Sequence, residues 1–355
     1  MKTLITGGAG FIGSHLAERL LADRASVVVL DDLSTGSMEN LKAVADHPRL
    51  EFVEGSVLNT GLVRRLVEES DMVAHLAAAV GVRYILDHPL ATIKTNVEGT
   101  DSVLDACARY GRKVMVASTS EVYGKNGADS LCETADSVLG PASVSRWSYA
   151  AGKKIDEFLA LGYAASFRLP VVVARFFNIV GPRQAGRYGM VLPNFIRAAI
   201  TGEPIRVFGD GRQTRNFTYV KDCMEALVLL LSSPKAEGDI FNIGGREEVS
   251  ILELAECVKR ITGSSSPIVR VPYEKAYPEG GFEDMRRRVP CICKITRVTG
   301  WTPVTEIEEM IAHTVLHERR RAGLAGQASA RILAPPAEER QQEAPVLLGH
   351  TTPDI

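Results

Sequence analysis

The chain opens on a short apolar strand that runs directly into glycines. Thr3–Thr6 is followed without a spacer by Gly7-Gly8-Ala9-Gly10-Phe11-Ile12-Gly13, and Phe11–Ala22 then carries apolar residues three and four apart. That spacing is the period of one helix face. A strand, a G-x-x-G-x-x-G turn and a helix in this order constrain the chain more than any other feature. Gly7 permits the tight turn, Gly10 lets backbone approach a pyrophosphate, and Gly13 allows helix to pack closely on strand. The start of the helix, at Phe11 and Ile12, offers unpaired N–H groups to phosphate. A second strand ends at Asp31-Asp32, 18 residues after Gly13. A carboxylate there accepts hydrogen bonds from ribose hydroxyls and repels a 2′-phosphate, so NAD is the expected cofactor rather than NADP.

The same alternation continues. Ser26–Leu30, Glu51–Val53, Met72–Leu76, Lys113–Ala117 and Pro170–Phe176 read as strands. Gly61–Glu68, Asn96–Tyr110 and Tyr149–Tyr163 read as helices between them. Strand–helix alternation at this spacing predicts a doubly wound parallel α/β sheet covered on both faces. After Asn178 the pattern loosens. Helices return at Val191–Thr201, Asp222–Leu231 and Ile251–Thr262 among short strands and turns. The expected division is a dinucleotide-binding domain over 1–177, which also receives segments near 218–245. A smaller mixed α/β lobe for substrate spans 178–318, and a disordered tail, rich in Ala, Gln, Glu and Pro, spans 322–355.

Composition excludes other classes. A formal net charge of −2 over 355 residues gives no reason to expect nucleic acid or an anionic membrane as partner. The six cysteines lack disulfide or zinc spacing, and the lone Cys291-x-Cys293 has no second pair, so reduced thiols and no metal are expected. No apolar run is long enough to span a bilayer, and the N-terminus passes at once into a strand, so a cytoplasmic location is expected.

Two segments carry chemistry. Tyr149-Ala150-Ala151-Gly152-Lys153 sets a phenol and an ammonium at i and i+4 on one helix face. A neighbouring ammonium favours the phenolate, which can then take a proton from a hydroxyl. Ser118-Thr119-Ser120-Glu121-Val122-Tyr123-Gly124 follows the fifth strand, at the carboxyl edge where open α/β sheets bind ligands. Its hydroxyls can hold a substrate oxygen, and Glu121 adds a titratable group.

Several motifs occur together and in one order: TGGAGFIG, VVVLDDLSTG, HLAA (His75–Ala78), STSEVYG, YAAGK, RFFNIVGPR (Arg175–Arg183), QTRNFTYVKD (Gln213–Asp222) and NIGG (Asn242–Gly245). In this, the chain resembles the extended short-chain dehydrogenase/reductases of the nucleotide-sugar epimerase/dehydratase family, from residue 1 to about 318. The resemblance implies a Rossmann sheet, a tightly held NAD that is reduced and reoxidised in one turnover, a UDP-linked sugar and a homodimer. It implies that Thr119, Tyr149 and Lys153 work on the sugar with Glu121. Leu76, Ala77 and Ala78 line the cofactor. Ser120 meets the substrate, Asn178 and Arg215 contact its diphosphate, and backbone at Val207–Phe208 meets the base. Gly55-Ser56 departs from the family's Gly-Asp, whose Asp contacts adenine.

All branches of that family first oxidise the sugar at C4. Ser120 stands where 4,6-dehydratases carry the Asp that protonates departing water, which disfavours dehydration. Ser118–Glu121, Arg146-Trp147-Ser148-Tyr149 and the stretch Gly281–Pro290 are similar to UDP-glucuronate decarboxylases, with Arg288 at the matching place. Guanidinium suits a carboxylate, and Arg187 is a second candidate for that task. UDP-glucuronate decarboxylation is the leading expectation, with 4-epimerisation of a UDP-hexose or UDP-uronate the alternative and dehydration third. A non-catalytic dinucleotide-binding regulator is the competing class, and the intact Tyr149/Lys153 pair argues against it.

Overall fold

The computed structural model describes residues 1–81, 85, 87–186, 190–276 and 285–324. Seven parallel strands form the central sheet: β1 (Lys2–Thr6), β2 (Ser26–Asp31), β3 (Leu50–Glu54), β4 (Met72–His75), β5 (Lys113–Thr119), β6 (Val171–Phe176) and β11 (Asp239–Ile243). Their order is β11-β6-β5-β4-β1-β2-β3. The expected strands are present, and β11 from the later sequence extends the edge beside β6.

The strands read as nearly unbroken apolar runs because both of their faces are buried. Alternate residues serve opposite sides. Ile5, Val27, Val29, Met115, Val172 and Ala174 pack into one core. Leu4, Val28, Leu30, Val114, Val116, Val171 and Val173 pack into the other. Helices α2 (Thr60–Glu68), α3 (Pro89–Tyr110) and α4 (Trp147–Phe167) cover the second face, while α1 (Phe11–Ala22) and α6 (Val220–Ser232) cover the first. The first core continues into the later sequence through Leu192, Phe195 and Ile196 of α5 (Val191–Thr201) and Leu254 and Val258 of α7 (Ile251–Thr262). Short strands accompany them: β7 (Ile179–Val180) pairs with β10 (Thr218–Tyr219), and β8 (Ile205–Phe208) pairs with β13 (Ile268–Val271). β9 (Thr214–Asn216) lies between β12 (Glu248–Ser250) and β14 (Arg287–Arg288). Among the described residues, no helix is long and apolar enough to cross a membrane.

Strand order reverses direction between β1 and β4, and a crevice opens there at the carboxyl ends. One buried cluster fixes α4 against that edge. Arg175 of β6 donates from Nε and Nη2 to the two oxygens of Glu157 on α4, each at 2.7 Å. The Ser118 hydroxyl of β5 donates to Glu157 Oε1 at 2.6 Å, and Arg175 Nη1 donates to the Tyr123 hydroxyl at 2.8 Å. A bidentate pair with its remaining lone pairs satisfied fixes rotation as well as position. The face of α4 that carries Tyr149 and Lys153 is thereby aimed over β5.

Candidate active site

A cleft of about 1410 Å³ runs along the carboxyl edge. Single small-molecule sites occupy roughly 300–1,000 Å³, so this space suits two extended ligands side by side. Gly7, Gly10, Phe11, Ile12, Gly13, Asp31, Asp32 and Leu76–Ala78 line one part. Thr119, Ser120, Glu121, Tyr149, Lys153, Asn178, Arg215 and Arg288 line the same continuous cleft.

The glycine turn fits a dinucleotide pyrophosphate. Gly7 has φ +70, and a Cβ there would stand 2.7 Å from the Ala77 nitrogen. A Cβ at Gly13 would stand 2.3 Å from the Gly7 carbonyl oxygen, so any side chain would push α1 off the loop. Asp31 Oδ2 accepts from the Ala9 N–H at 2.9 Å and Oδ1 from the Leu33 N–H at 2.8 Å. Burial pushes the Asp31 carboxyl up despite these two donors. Asp32 accepts from the Ser34 hydroxyl and N–H. Ser56 accepts from the Leu58 N–H at 3.3 Å and so holds a turn beside Gly55 and Val57, which line the cleft.

At the other end Glu121 sits between two guanidiniums. Arg288 Nη1 is 2.7 Å from Glu121 Oε1, and Arg146 Nη2 is 3.1 Å from Oε2. Arg288 Nη1 also donates to the Ser120 hydroxyl at 3.3 Å. Burial works to raise the Glu121 carboxyl, but Arg288, Arg146 and Arg215 outweigh it and hold it below the usual range. Arg146 lies over the Trp147 ring at 5.5 Å, which limits where its guanidinium can go. Of the run Arg286–Arg288, the first two side chains are exposed and Arg288 is buried. Pairing of β14 with β9 sets Arg288 beside Arg215. Arg187 lies outside the described residues.

The phenol departs from expectation. Tyr149 is pushed well above the ordinary tyrosine range, by burial first and then by the charges of Glu121 and Asp156. The Lys153 ammonium, expected to favour the phenolate, is ion-paired at 2.9 Å with Asp156, one helical turn further on. A carboxylate three residues beyond a lysine on a helix reaches it readily, and that spacing was the available signal for Asp156. The Val207 side chain is in the core, so only its backbone can face a ligand, and its neighbour Phe208 lines the cleft with Gln213 and Tyr273. Gln213 Nε2 donates to the Phe208 carbonyl at 3.0 Å and to the Tyr273 hydroxyl at 3.2 Å. Asn178, at φ +39, donates to the Asn216 carbonyl at 2.8 Å.

A glycine turn at the sheet's reversal point, sharing one cleft with a helical Tyr/Lys pair, defines a dinucleotide-binding α/β enzyme. Residues 3–244 match the model of the NAD dependent epimerase/dehydratase family. The chain belongs to that family, within the extended short-chain dehydrogenase/reductases. It is 42% identical, over 88% of its length and 96% of the relative's, to a UDP-N-acetyl-alpha-D-glucosaminuronate decarboxylase of Bacillus cytotoxicus. It is 35% identical to UDP-glucuronic acid decarboxylase 1 of Xenopus tropicalis, over 90% of this chain and 72% of that one. Its fold superposes with TM-score 0.82 and 29% identity on the UDP-glucuronic acid 4-epimerase of Bacillus cereus, solved with UDP-glucuronic acid and NAD, covering 90% and 100% of the two chains.

Proposed function

We propose that this enzyme is an NAD-dependent decarboxylase of a UDP-linked hexuronate, UDP-glucuronate or its 2-acetamido counterpart. The observation that carries the reading is the Arg288–Glu121–Arg146 cluster facing Tyr149. Two guanidiniums around one carboxylate leave a net positive charge, and Arg288 Nε is buried with no hydrogen-bond partner among the described residues. The C6 carboxylate of a uronate offers a guanidinium a charge-assisted, bidentate partner, which the C6 hydroxyl of a neutral hexose does not. The decarboxylase names of the relatives support the same choice.

Gly7, Gly10 and Gly13, with Asp31 at the ribose, would hold NAD, which would supply reversible hydride acceptance at the sugar C4. Tyr149 takes the C4 hydroxyl proton while Thr119 holds the same oxygen and Lys153 orients the pair. The C4 ketone is β to the C6 carboxylate. The C5–C6 bond breaks, its electrons pass to the C4 oxygen, and carbon dioxide leaves. A proton from solvent water takes the place of the departed carbon dioxide at C5, and Tyr149 returns its own proton to the C4 oxygen on reduction. Asn178 and Arg215 are assigned the diphosphate, and Phe208, Gln213 and Tyr273 the base.

The working unit is inferred to be a homodimer. Ile155, Phe158 and Phe167 on α4 and Leu90 and Ile93 on α3 are exposed large apolar side chains, and a second copy of this face would cover them. Incubation with UDP-glucuronate, UDP-N-acetylglucosaminuronate and UDP-glucose, followed by mass analysis, tests the reaction. Loss of about 44 mass units from a uronate is the expected outcome, from the stoichiometry of one carbon dioxide per turnover at a site built for a carboxylate. An unchanged mass with a new retention time would replace decarboxylation by epimerisation.

A further inference from the structure

Three of the six thiols come together beside the strand that carries Arg288. Leu131 and Pro290 form a parallel bridge, in which the Leu131 N–H donates to the Val289 carbonyl at 2.8 Å and the Cys291 N–H to the Leu131 carbonyl at 3.0 Å. Cys132 and Cys291 each stand one residue beyond that pair. They therefore face one another across neighbouring extended segments, which lie about 4.8 Å apart with opposed side chains on one side. Disulfides span roughly 4.4–6.8 Å between Cα atoms, a range that includes the spacing of neighbouring extended segments. The two thiols act on each other's ionisation, and Cys293 acts on both. Cys132 and Cys291 are half-buried and Cys293 is exposed, so small oxidants can reach the group. Among the described residues, no group of three or more His, Cys, Asp and Glu is placed to hold a metal ion.

We propose that Cys132 and Cys291 form a reversible disulfide, a redox modification site that ties the strand bearing Arg288 to the 131–133 loop. The oxidant is a peroxide. Cys291 sulfur attacks one oxygen of hydrogen peroxide, the O–O bond breaks, and a sulfenic acid and one water result. Cys132 sulfur then displaces the sulfenic oxygen as a second water. Two thiols thus supply two electrons and two protons, and a dithiol reductant reverses the step by exchange. Cys291 is the first nucleophile. Burial acts to raise its thiol, but the Cys293 N–H and the flanking thiols hold it below the ordinary range, whereas Cys132 is raised. Arg288 lies three residues before Cys291 in the same segment. The crosslink therefore restrains the backbone that delivers its guanidinium to Glu121.

The full-length chain, reduced and then exposed briefly to hydrogen peroxide, is alkylated and mapped by peptide mass spectrometry. The expected product is a Cys132–Cys291 crosslink, accompanied by at least several-fold slower amide exchange over residues 285–291. Dithiothreitol reverses both, Cys293→Ser leaves both intact, and Cys132→Ser abolishes both. A Cys291–Cys293 linkage as the main product would overturn the proposal. So would oxidation confined to a Cys291 sulfinic acid, or a Cys132–Cys291 crosslink that leaves exchange unchanged. None of these readouts depends on which sugar the enzyme uses.

Discussion

The ammonium of Lys153 lies 2.9 Å from Asp156 Oδ2, and the two side chains are 3% and 0% exposed. Asp156 Oδ1 has no hydrogen-bond partner among the described residues. This carboxylate thus neutralises the cation next to the phenol and adds its own charge against ionisation of Tyr149. Asp156→Asn keeps the volume and removes the charge. The acid limb of the kcat–pH profile is expected to move to lower pH, because the Tyr149 phenolate loses a repelling neighbour. Leaving a buried ammonium unpaired costs about 3–5 kcal/mol, read from denaturant unfolding. Lost stability with an unmoved acid limb would make Asp156 a structural partner of Lys153 and nothing more.

Arg288→Ala removes the buried guanidinium that joins Glu121 to Ser120. If it also binds the C6 carboxylate, kcat/KM on a UDP-uronate falls about 10- to 150-fold, the range for losing a hydrogen bond to a charged group. Arg286→Ala, altering an exposed neighbour, is the control and leaves kcat/KM within about twofold, as surface changes do. Equal losses in both variants, or equal losses on uronate and neutral hexose, would free the carboxylate from Arg288.

Much of this site could be read along the chain because its parts are local. The glycine turn, the i, i+4 Tyr/Lys pair and Ser118–Glu121 each declare themselves within a few residues. Helices α1, α5 and α7 begin and end where the periodicity says, and Ser250 closes a reciprocal capping box with Glu253 at the start of α7. What escaped was long-range. The run Arg286–Arg288 taken alone does not tell which arginine turns inward, because β14 takes its register from β9 far upstream, and only the family resemblance picked out Arg288. Cys132 meets Cys291 only through the Leu131–Pro290 bridge. The sign of the Tyr149 shift depends on burial and on two carboxylates, of which one, Asp156, carries no motif.

Tyr149→Phe deletes one oxygen from a residue that lines the cleft. If the phenol is the base, turnover falls by about 10²- to 10⁴-fold, the usual contribution of a positioned proton-transfer group. Equilibrium unfolding and NAD affinity, measured by calorimetry on the same preparation, are expected to stay at wild-type levels. Wild-type turnover in the variant would remove Tyr149 from the proton path.

Phe158 is 66% exposed and Phe167 65% on the outer face of α4. The two rings border one groove along α4 with Ile155, and the proposed two-fold copy would cover it. Phe158→Glu would place two carboxylates against each other across that axis. Sedimentation velocity is expected to show the wild type as a dimer and the variant shifted to monomer at micromolar concentration. A monomeric wild type would leave this face without the partner proposed for it.

His75 and His15 contribute to the acid side of stability, with His317 and the ion-paired Glu121 and Glu157 acting in the same sense. His75 is fully buried between the hydroxyls of Thr6 (2.7 Å) and Thr100 (3.1 Å), and burial drives its pKa down to about 3. Burial likewise lowers His15 to about 4. Unfolded histidine titrates near 6.5, so between about 6.5 and these native values the unfolded chain binds protons that the native chain does not. Stability therefore falls as pH drops through that window, by about 1.4 kcal/mol per pH unit for each histidine. Asp31, Glu247 and Glu318 are raised by burial and act in the opposite sense near its lower end, so the wild-type slope alone is not diagnostic. The comparison with His75→Asn, which keeps a polar group between the two threonines, isolates one histidine. Denaturant unfolding at pH 7, 6 and 5 is expected to give a slope shallower by about 1.4 kcal/mol per pH unit in the variant below pH 6. Parallel slopes would mean that His75 is protonated in the native protein at these pH values, and that its contacts with Thr6 and Thr100 are made by the charged ring.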